Sequence, residues 1–244
     1  MRTLAEMVEF RERLRDLFAA CAPRRPADYV VLASNKAGIF NLGGDLAMFA
    51  QSIRRGEREA LHGYARACID VMYGMISAYD LPIITVAVIA GQALGGGFEA
   101  ALAQDFLIAE ESAILGVPEI AFNTFPGMGA ITLLTRRIGA PMTEEIVTSG
   151  SSYAARELAD RDVIDVLAPD GQGRETALAW MTAGGRSVVE RRLAVTRARR
   201  ACLPVSEREL IAIVDVWTDC SCSVTSRDLR HMERLVAAQK RFAA

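Results

Sequence analysis

The sequence predicts an α/β fold, mostly parallel in its sheet and with a helical C-terminal region, and three observations predict it. Two short runs, Tyr29–Ser34 and Ile83–Ala90, are apolar almost throughout, as strands buried on both faces are. Each leads through a glycine-rich loop into a stretch with helical periodicity, and strands that alternate with helices build parallel sheets. Past Pro141 the pattern becomes mainly helical, with one short strand expected at Val163–Leu167.

The elements follow in order. Residues 3–21 place Leu4, Met7, Val8, Phe10, Leu14, Leu17 and Phe18 at helical spacing, and Pro23 and Pro26 end that helix. After the first strand the loop NKAGIFNLGGD ends on Asp45, placed to cap the helix that begins LAMFAQSI. A long helix from about Glu57 to Tyr79 precedes Pro82 and the second buried strand. That strand runs into GQALGGG and a helix FEAALAQ, followed by short strands DFLIAE and AILG. PEIAFNTFPGMG then forms a loop that enters the helix ITLLTRRIG. Further on, Leu210, Ile213, Val214 and Trp217, then Leu229, Met232, Leu235 and Val236, recur with the period of helices packed on the core or on a neighbouring subunit. Residues 1–168 thus read as the core with its N-terminal helix, and 169–244 as a helical region for assembly or for covering a site.

Half of the residues are apolar (51%), 24% are charged and the net charge is −2, a profile that excludes a disordered chain and gives no reason to expect a nucleic acid partner. The longest apolar run, Leu81–Ala90, is too short for a bilayer, and the charged amphipathic start MRTLAEMVEFRERLRDL lacks the apolar centre of a signal peptide. A cytoplasmic protein with no membrane contact is expected. The five cysteines, Cys21, Cys68, Cys202, Cys220 and Cys222, are odd in number and form no CxxC pair, which fits free thiols in a reducing compartment. With only His62 and His231 available and neither at ligand spacing, no metal site is expected.

The chemistry lies in the two glycine loops. Glycines packed between a buried strand and a helix serve close backbone approach and unusual dihedrals, and they leave N–H groups at the helix start. GQALGGGFEA lacks the spacing of a dinucleotide loop and the Lys-Ser/Thr of a phosphate loop, and no GxSxG occurs in the chain. An oxyanion site for a carbonyl remains. The loop Asn41–Asp45 offers a second N–H, from somewhere between Leu42 and Gly44.

At these residues the chain resembles the crotonase, or enoyl-CoA hydratase/isomerase, superfamily. FNLGGDL is similar to its first oxyanion loop, and GQALGGGFEAALAQDFLIAEESAILGVPEIAFNTFPGMG to its central signature, so the resemblance spans roughly Tyr29–Leu167. It implies a spiral of ββα turns and assembly into homotrimers or hexamers. It also implies that the N–H groups of Leu42 and Gly96 form the oxyanion hole, that Glu99 and Glu119 are the catalytic pair, and that Gly43, Gly44, Leu94 and Gly95 line the substrate. No cofactor is implied beyond the carrier of the acyl group, coenzyme A or acyl carrier protein. Leu42 stands where the family usually has Ser or Ala, and only an amphipathic helix precedes Tyr29 where the family places further strands.

Two carboxyls in one pocket, with Phe98, Phe122, Phe125 and Met128 expected around them, would be driven apart in pKa by desolvation and repulsion, leaving one acid and one base. Glu119 is assigned to the Cα proton and Glu99 to the hydroxyl side, with the exchange of the two roles as the alternative. Within the superfamily, YVVLAS, FNLGGDLAMF, ALGGGFEAALA, IAEE, PEIAFNTFPGMGA and MERLVAAQKR resemble the bacterial diffusible signal factor synthases. That likeness implies dehydration of a 3-hydroxyacyl group on acyl carrier protein to a cis-2-enoyl product, then thioester hydrolysis. It makes Met128 and Trp217 candidate walls of an acyl tunnel; their alternative is plain core. An ordinary enoyl-CoA hydratase is the alternative enzyme, and a scaffold that only binds a regulatory protein partner is the alternative of another class. Glu110, Glu111, His62 and His231 read as exposed, and the basic run Arg186–Arg200 as a solvated helix face or a docking patch for the acidic carrier protein.

Overall fold

The computed structural model describes residues 2–243, with side chains through Arg234. Helix α1 (Arg2–Cys21) precedes β1 (Tyr29–Ala33) and β2 (Ile39–Asn41), after which come α2 (Leu46–Arg55) and α3 (Arg58–Ile76). The second turn is β3 (Ile84–Ile89), β4 (Gln92–Leu94) and α4 (Gly96–Leu102). The third is β5 (Phe106–Glu110), β6 (Ile114–Gly116), a 3-10 turn at Pro118–Phe122, then α5 (Ala130–Ile138) and α6 (Ala140–Ser149). A last turn holds β7 (Ser152–Ala154), α7 (Ala155–Ala159) and β8 (Val166–Ala168), and four helices follow: α8 (Gly173–Thr182), α9 (Gly185–Cys202), α10 (Glu207–Cys222) and α11 (Ser226–Ala243).

In the first three turns the first strand enters one sheet and the second strand another; β8 completes the first, ordered β1-β3-β5-β8, and β7 completes the second, ordered β2-β4-β6-β7. Every pairing is parallel except β6 with β7. This is the crotonase spiral of ββα turns. Strand β3 is buried at all of its residues, since β1 and β5 flank it and helices cover both faces. In the other sheet β4 pairs with β2 (Gln92 with Ile39, Ala93 with Asn41) and with β6 (Gln92–Leu94 with Ile114–Gly116), which aligns the strand ends from which both glycine loops and the 3-10 turn depart.

Strand β1 departs from expectation. It is an edge strand and only half-buried, with Val31 43% exposed. Val30 and Leu32 pack under Leu14 and Phe18 of α1, but the other face is covered only at Tyr29, by Trp180 and Arg192. The last strand is shorter and later than Val163–Leu167 because Val163 and Ile164 are buried in a loop, not in the ladder. Strand β7 has no counterpart in the sequence reading, and β2 and β4, each of three residues, lie inside the stretches read there as glycine-rich loops.

The basic run is a solvated face only in part: Arg186, Arg191, Arg197 and Arg199 are exposed, while Arg192 and Arg200 are half-buried. On α9 the Arg200 guanidinium is paired with the buried Asp105 and donates to the Ile83 carbonyl, while Arg199 donates to the Asp105 carbonyl at 2.7 Å. Arg192 lies 3.7 Å over the Trp180 ring and donates to the Tyr29 hydroxyl. These long stems hold α9 against the sheet. Glu110, expected at the surface, is half-buried and accepts the Gly173 N–H that opens α8. His62 and His231 are half-buried, and His62 Nε2 meets Asp215 at 2.7 Å. Helix α10 packs on α3 and α11 on α2, so both C-terminal helices sit on this chain's own core. The side chains of Leu235 and Val236 lie outside the described residues. Among the described residues no helix is long and apolar enough to cross a membrane, and no cluster of three or more His, Cys, Asp or Glu is placed to hold a metal. All five cysteines are unpaired.

Candidate active site

The two glycine loops meet. Gly43 has φ +91°, and a Cβ there would fall 2.9 Å from the Leu94 carbonyl and 3.0 Å from the Gly96 nitrogen, so only glycine lets the loops touch. The Gly43 N–H is held by its own loop, donating to Asn41 Oδ1 at 2.8 Å. This removes Gly43 from the possible donors of the first loop. Gly96 opens α4, so its N–H has no acceptor within the helix. Asp45 accepts the Met48 N–H at 2.9 Å, the capping role expected of it, and fixes α2 behind the first loop.

Beside these loops is a cavity of about 250 Å³. Leu42, Gly43, Gly44, Leu94, Gly95 and Gly96 form one end of its wall. Glu99, Glu119, Met128 and Trp217 line it as well, so the expected catalytic pair, oxyanion loops and tunnel residues all reach one space. The rest is mainly apolar and comes from distant parts of the chain: Phe49 and Ile53 from α2, Trp217 from α10, Val224 after it, and Met232 from α11. Phe122 and Met128 are in place, whereas Phe98 and Phe125 are not on the wall. Phe98 is fully buried in the main core, because adjacent residues on a helix point about 100° apart and Glu99 takes the cavity side. Phe125 packs into the core cluster that contains Trp217, and Thr124 takes its expected place. Gln92, Thr124 and Ser221 are wall residues that the sequence reading did not single out, although Gln92 and Thr124 stand inside the two quoted motifs.

The two carboxyls differ in their surroundings. Glu99 is 1% exposed, and its Oε1 accepts the N–H groups of Met128 at 2.8 Å and Ala130 at 3.0 Å. Burial pushes its pKa above the usual carboxylate range, and those backbone donors pull partly against that. Glu119 sits in the first turn of the 3-10 segment, with Oε1 so close to Gly95 that a Cβ there would be 2.6 Å away. Its Oε2 is buried and accepts no hydrogen bond. Burial raises its pKa and the neighbouring Glu99 charge raises it further, so Glu119 is the better proton holder and Glu99 the better base. Nearby, burial lifts the Tyr64 hydroxyl to about 12, which keeps it neutral beside Gly44 and Phe49.

Fold and site together define a class: a crotonase-type α/β spiral in which two touching glycine loops and two carboxyls face one cavity. The chain belongs to the enoyl-CoA hydratase/isomerase family, whose family model matches residues 7–207. A curated Arabidopsis thaliana protein named "Probable enoyl-CoA hydratase 2, mitochondrial" is 31% identical over 170 residues, which cover 70% of this chain and 54% of that protein. The chain therefore spans about half the length of that relative. The fatty acid oxidation complex subunit alpha of Ectopseudomonas oleovorans is 32% identical over 142 residues, 57% of this chain and 19% of that one. Among solved structures, human mitochondrial delta3-delta2-enoyl-CoA isomerase superposes with a TM-score of 0.74 at 19% identity, covering 98% of this chain and 88% of that one. At that identity the likeness is one of fold.

Proposed function

We propose that the protein adds and removes water across the 2,3-bond of an acyl thioester, interconverting 2-enoyl and 3-hydroxyacyl forms. The observation that carries this is the pair of carboxyls facing one cavity, Glu99 buried and held by backbone donors, Glu119 half-buried with an inner oxygen that accepts no hydrogen bond. The thioester oxygen lies between the N–H groups of Leu42 and Gly96, where charge develops as an enolate. In hydration, the Glu99 carboxylate takes a proton from water as the oxygen bonds to Cβ, and protonated Glu119 delivers a proton to Cα. Dehydration runs the same transfers backwards. A family that carries the name enoyl-CoA hydratase and two relatives at 31% and 32% identity support this reading.

The finer reading is dehydration of a 3-hydroxyacyl group on acyl carrier protein to a cis-2-enoyl product, with the thioester then hydrolysed. Its support is the sequence likeness to diffusible signal factor synthases, which extends into the C-terminal helices. One experiment separates the two. The protein is incubated with a medium-chain 3-hydroxyacyl group on coenzyme A and, separately, on acyl carrier protein, with Glu99→Gln and Glu119→Gln as controls, and products are read by mass spectrometry. Enoyl thioester from coenzyme A, lost in both variants, supports the hydratase. Free 2-unsaturated acid from the carrier protein, lost in both, supports the finer reading. No product from either substrate overturns both.

A further inference from the structure

Outside the acid pair, the glycine loops and Gln92 of β4, the cavity wall is apolar except at one place. Thr124 Oγ1 and Ser221 Oγ face each other there at 3.2 Å, and their residues are 4% and 2% exposed. Thr124 belongs to the turn of Glu119, whose carbonyl accepts its N–H at 3.3 Å. Ser221 is on α10, one helical turn beyond Trp217.

Two hydroxyls carry two donor hydrogens, and the bond between them uses one. Among the described residues no acceptor is placed for the other hydrogen. Elsewhere in this chain a helical hydroxyl closes on the carbonyl four residues back: Thr218 on Val214 at 2.8 Å, Thr143 on Gly139 at 2.8 Å, Ser223 on Asp219 at 3.0 Å. Ser221 instead turns to Thr124. A buried polar group without its full complement of partners costs stability, so such groups are normally satisfied by protein, water or ligand.

We infer that Thr124 and Ser221 form a polar subsite in the acyl wall that accepts a keto or hydroxyl oxygen carried on the acyl chain beyond the reacting carbons. The inference rests on the proposed reading that this cavity holds an acyl thioester. Trp217 stands against Gly127, beside the donors to Glu99, and Ser221 lies roughly 5 Å further along α10. The preferred substrates are oxygenated acyl thioesters, and a plain chain of equal length leaves the free donor unsatisfied.

The test is equilibrium binding, which needs no turnover. Saturated medium-chain acyl-CoA thioesters, plain or bearing one keto group at successive carbons beyond C4, are titrated into the wild-type protein, Ser221→Ala and Thr124→Val, with Tm measured to check that each variant folds. One keto isomer is expected to bind wild type about tenfold more tightly than the plain chain, a ratio typical of one neutral hydrogen bond. That ratio falls to about one in either variant. Equal binding of plain and keto chains by wild type, or a ratio retained in both variants, overturns the subsite and leaves the hydratase reading standing. Failure to bind any acyl thioester overturns the proposed function, and the subsite with it.

Discussion

The indole of Trp217 rests against the backbone of Gly127, so closely that a Cβ on Gly127 would fall 2.6 Å from Cδ1 of the ring. The next residue, Met128, donates its N–H to Glu99 Oε1 at 2.8 Å. The α10 helix, nearly 90 residues further along the chain, therefore sets the position of the loop that orients a carboxyl of the site. Gly127→Ala is expected to push the loop from the indole and lower kcat by about 100-fold, since a displacement near 1 Å at reacting groups costs that much. Circular dichroism should remain that of a folded protein. Wild-type turnover in this variant would show that the contact does not position Glu99.

The two backbone donors on Glu99 separate its chemical role from its structural one. Glu99→Gln keeps an oxygen for the Met128 and Ala130 N–H groups and should fold with nearly unchanged Tm while losing 10²- to 10⁴-fold in rate, the usual worth of a general acid or base. Glu99→Ala leaves both N–H groups buried without an acceptor and should cost about 2 kcal/mol in addition. Denaturant unfolding of the pair checks this. Equal stability of the two would mean the loop relaxes to find other acceptors.

Asp45 accepts the Met48 N–H from outside α2, and α2 carries Phe49 and Ile53 of the cavity wall. Asp45→Ala should lower stability by about 1 kcal/mol, the ordinary worth of a cap, and Asp45→Asn should restore it. A rate loss as large as that of Glu99→Gln, with Asn unable to rescue, would place Asp45 in the chemistry.

What the sequence made legible follows from the range of the interactions. Buried strands and glycine loops show in local composition, so β3, α4 and the acids beside them could be placed, and all of the chosen site residues face one cavity. Strand β7 has three residues, and its antiparallel pairing with β6 is decided by tertiary contact alone. Val163 and Ile164 signalled burial, which apolar side chains do equally in a loop. The far wall of the cavity is set by α2, α10 and α11, and no local pattern tells that Phe49 and Trp217 will meet with ring centroids 5.4 Å apart. The arginines of α9 read as solvated because their partner Asp105 stands about 95 residues earlier.

That partnership makes its own prediction. Asp105 accepts the Thr85 N–H and Thr85 hydroxyl as well as the Arg200 guanidinium, and its side chain is 6% exposed. Arg200→Ala strands a buried carboxylate and should cost about 3 kcal/mol or more. Affinity for acyl carrier protein, measured by titration, should not change. A fall in affinity at unchanged Tm would return this helix to the role of docking face.

Glu119 predicts a pH dependence whose sign can be worked out. Burial and the Glu99 charge raise its pKa in the folded protein above the ordinary 4.5. Below that value the carboxyl is protonated in folded and unfolded chains alike, and it contributes no difference. As pH rises, the unfolded chain gives up the proton while the folded one keeps it, so the folded state binds more protons and stability falls with pH. The loss is complete once pH passes the raised folded value. Glutamine cannot ionise, so Glu119→Gln escapes the loss: its Tm should match wild type near pH 4 and exceed it increasingly toward pH 9. Each pH unit of elevation is worth about 1.4 kcal/mol, or roughly 4 °C in a chain of this size. Repeating the series with Glu99→Gln in both proteins removes the second cause and should shrink the difference without abolishing it, because burial is the larger one. A Tm difference that stays flat with pH would mean that Glu119 is as well solvated when charged as an unfolded carboxylate, and the assignment of Glu119 as the proton donor to Cα would fall with it.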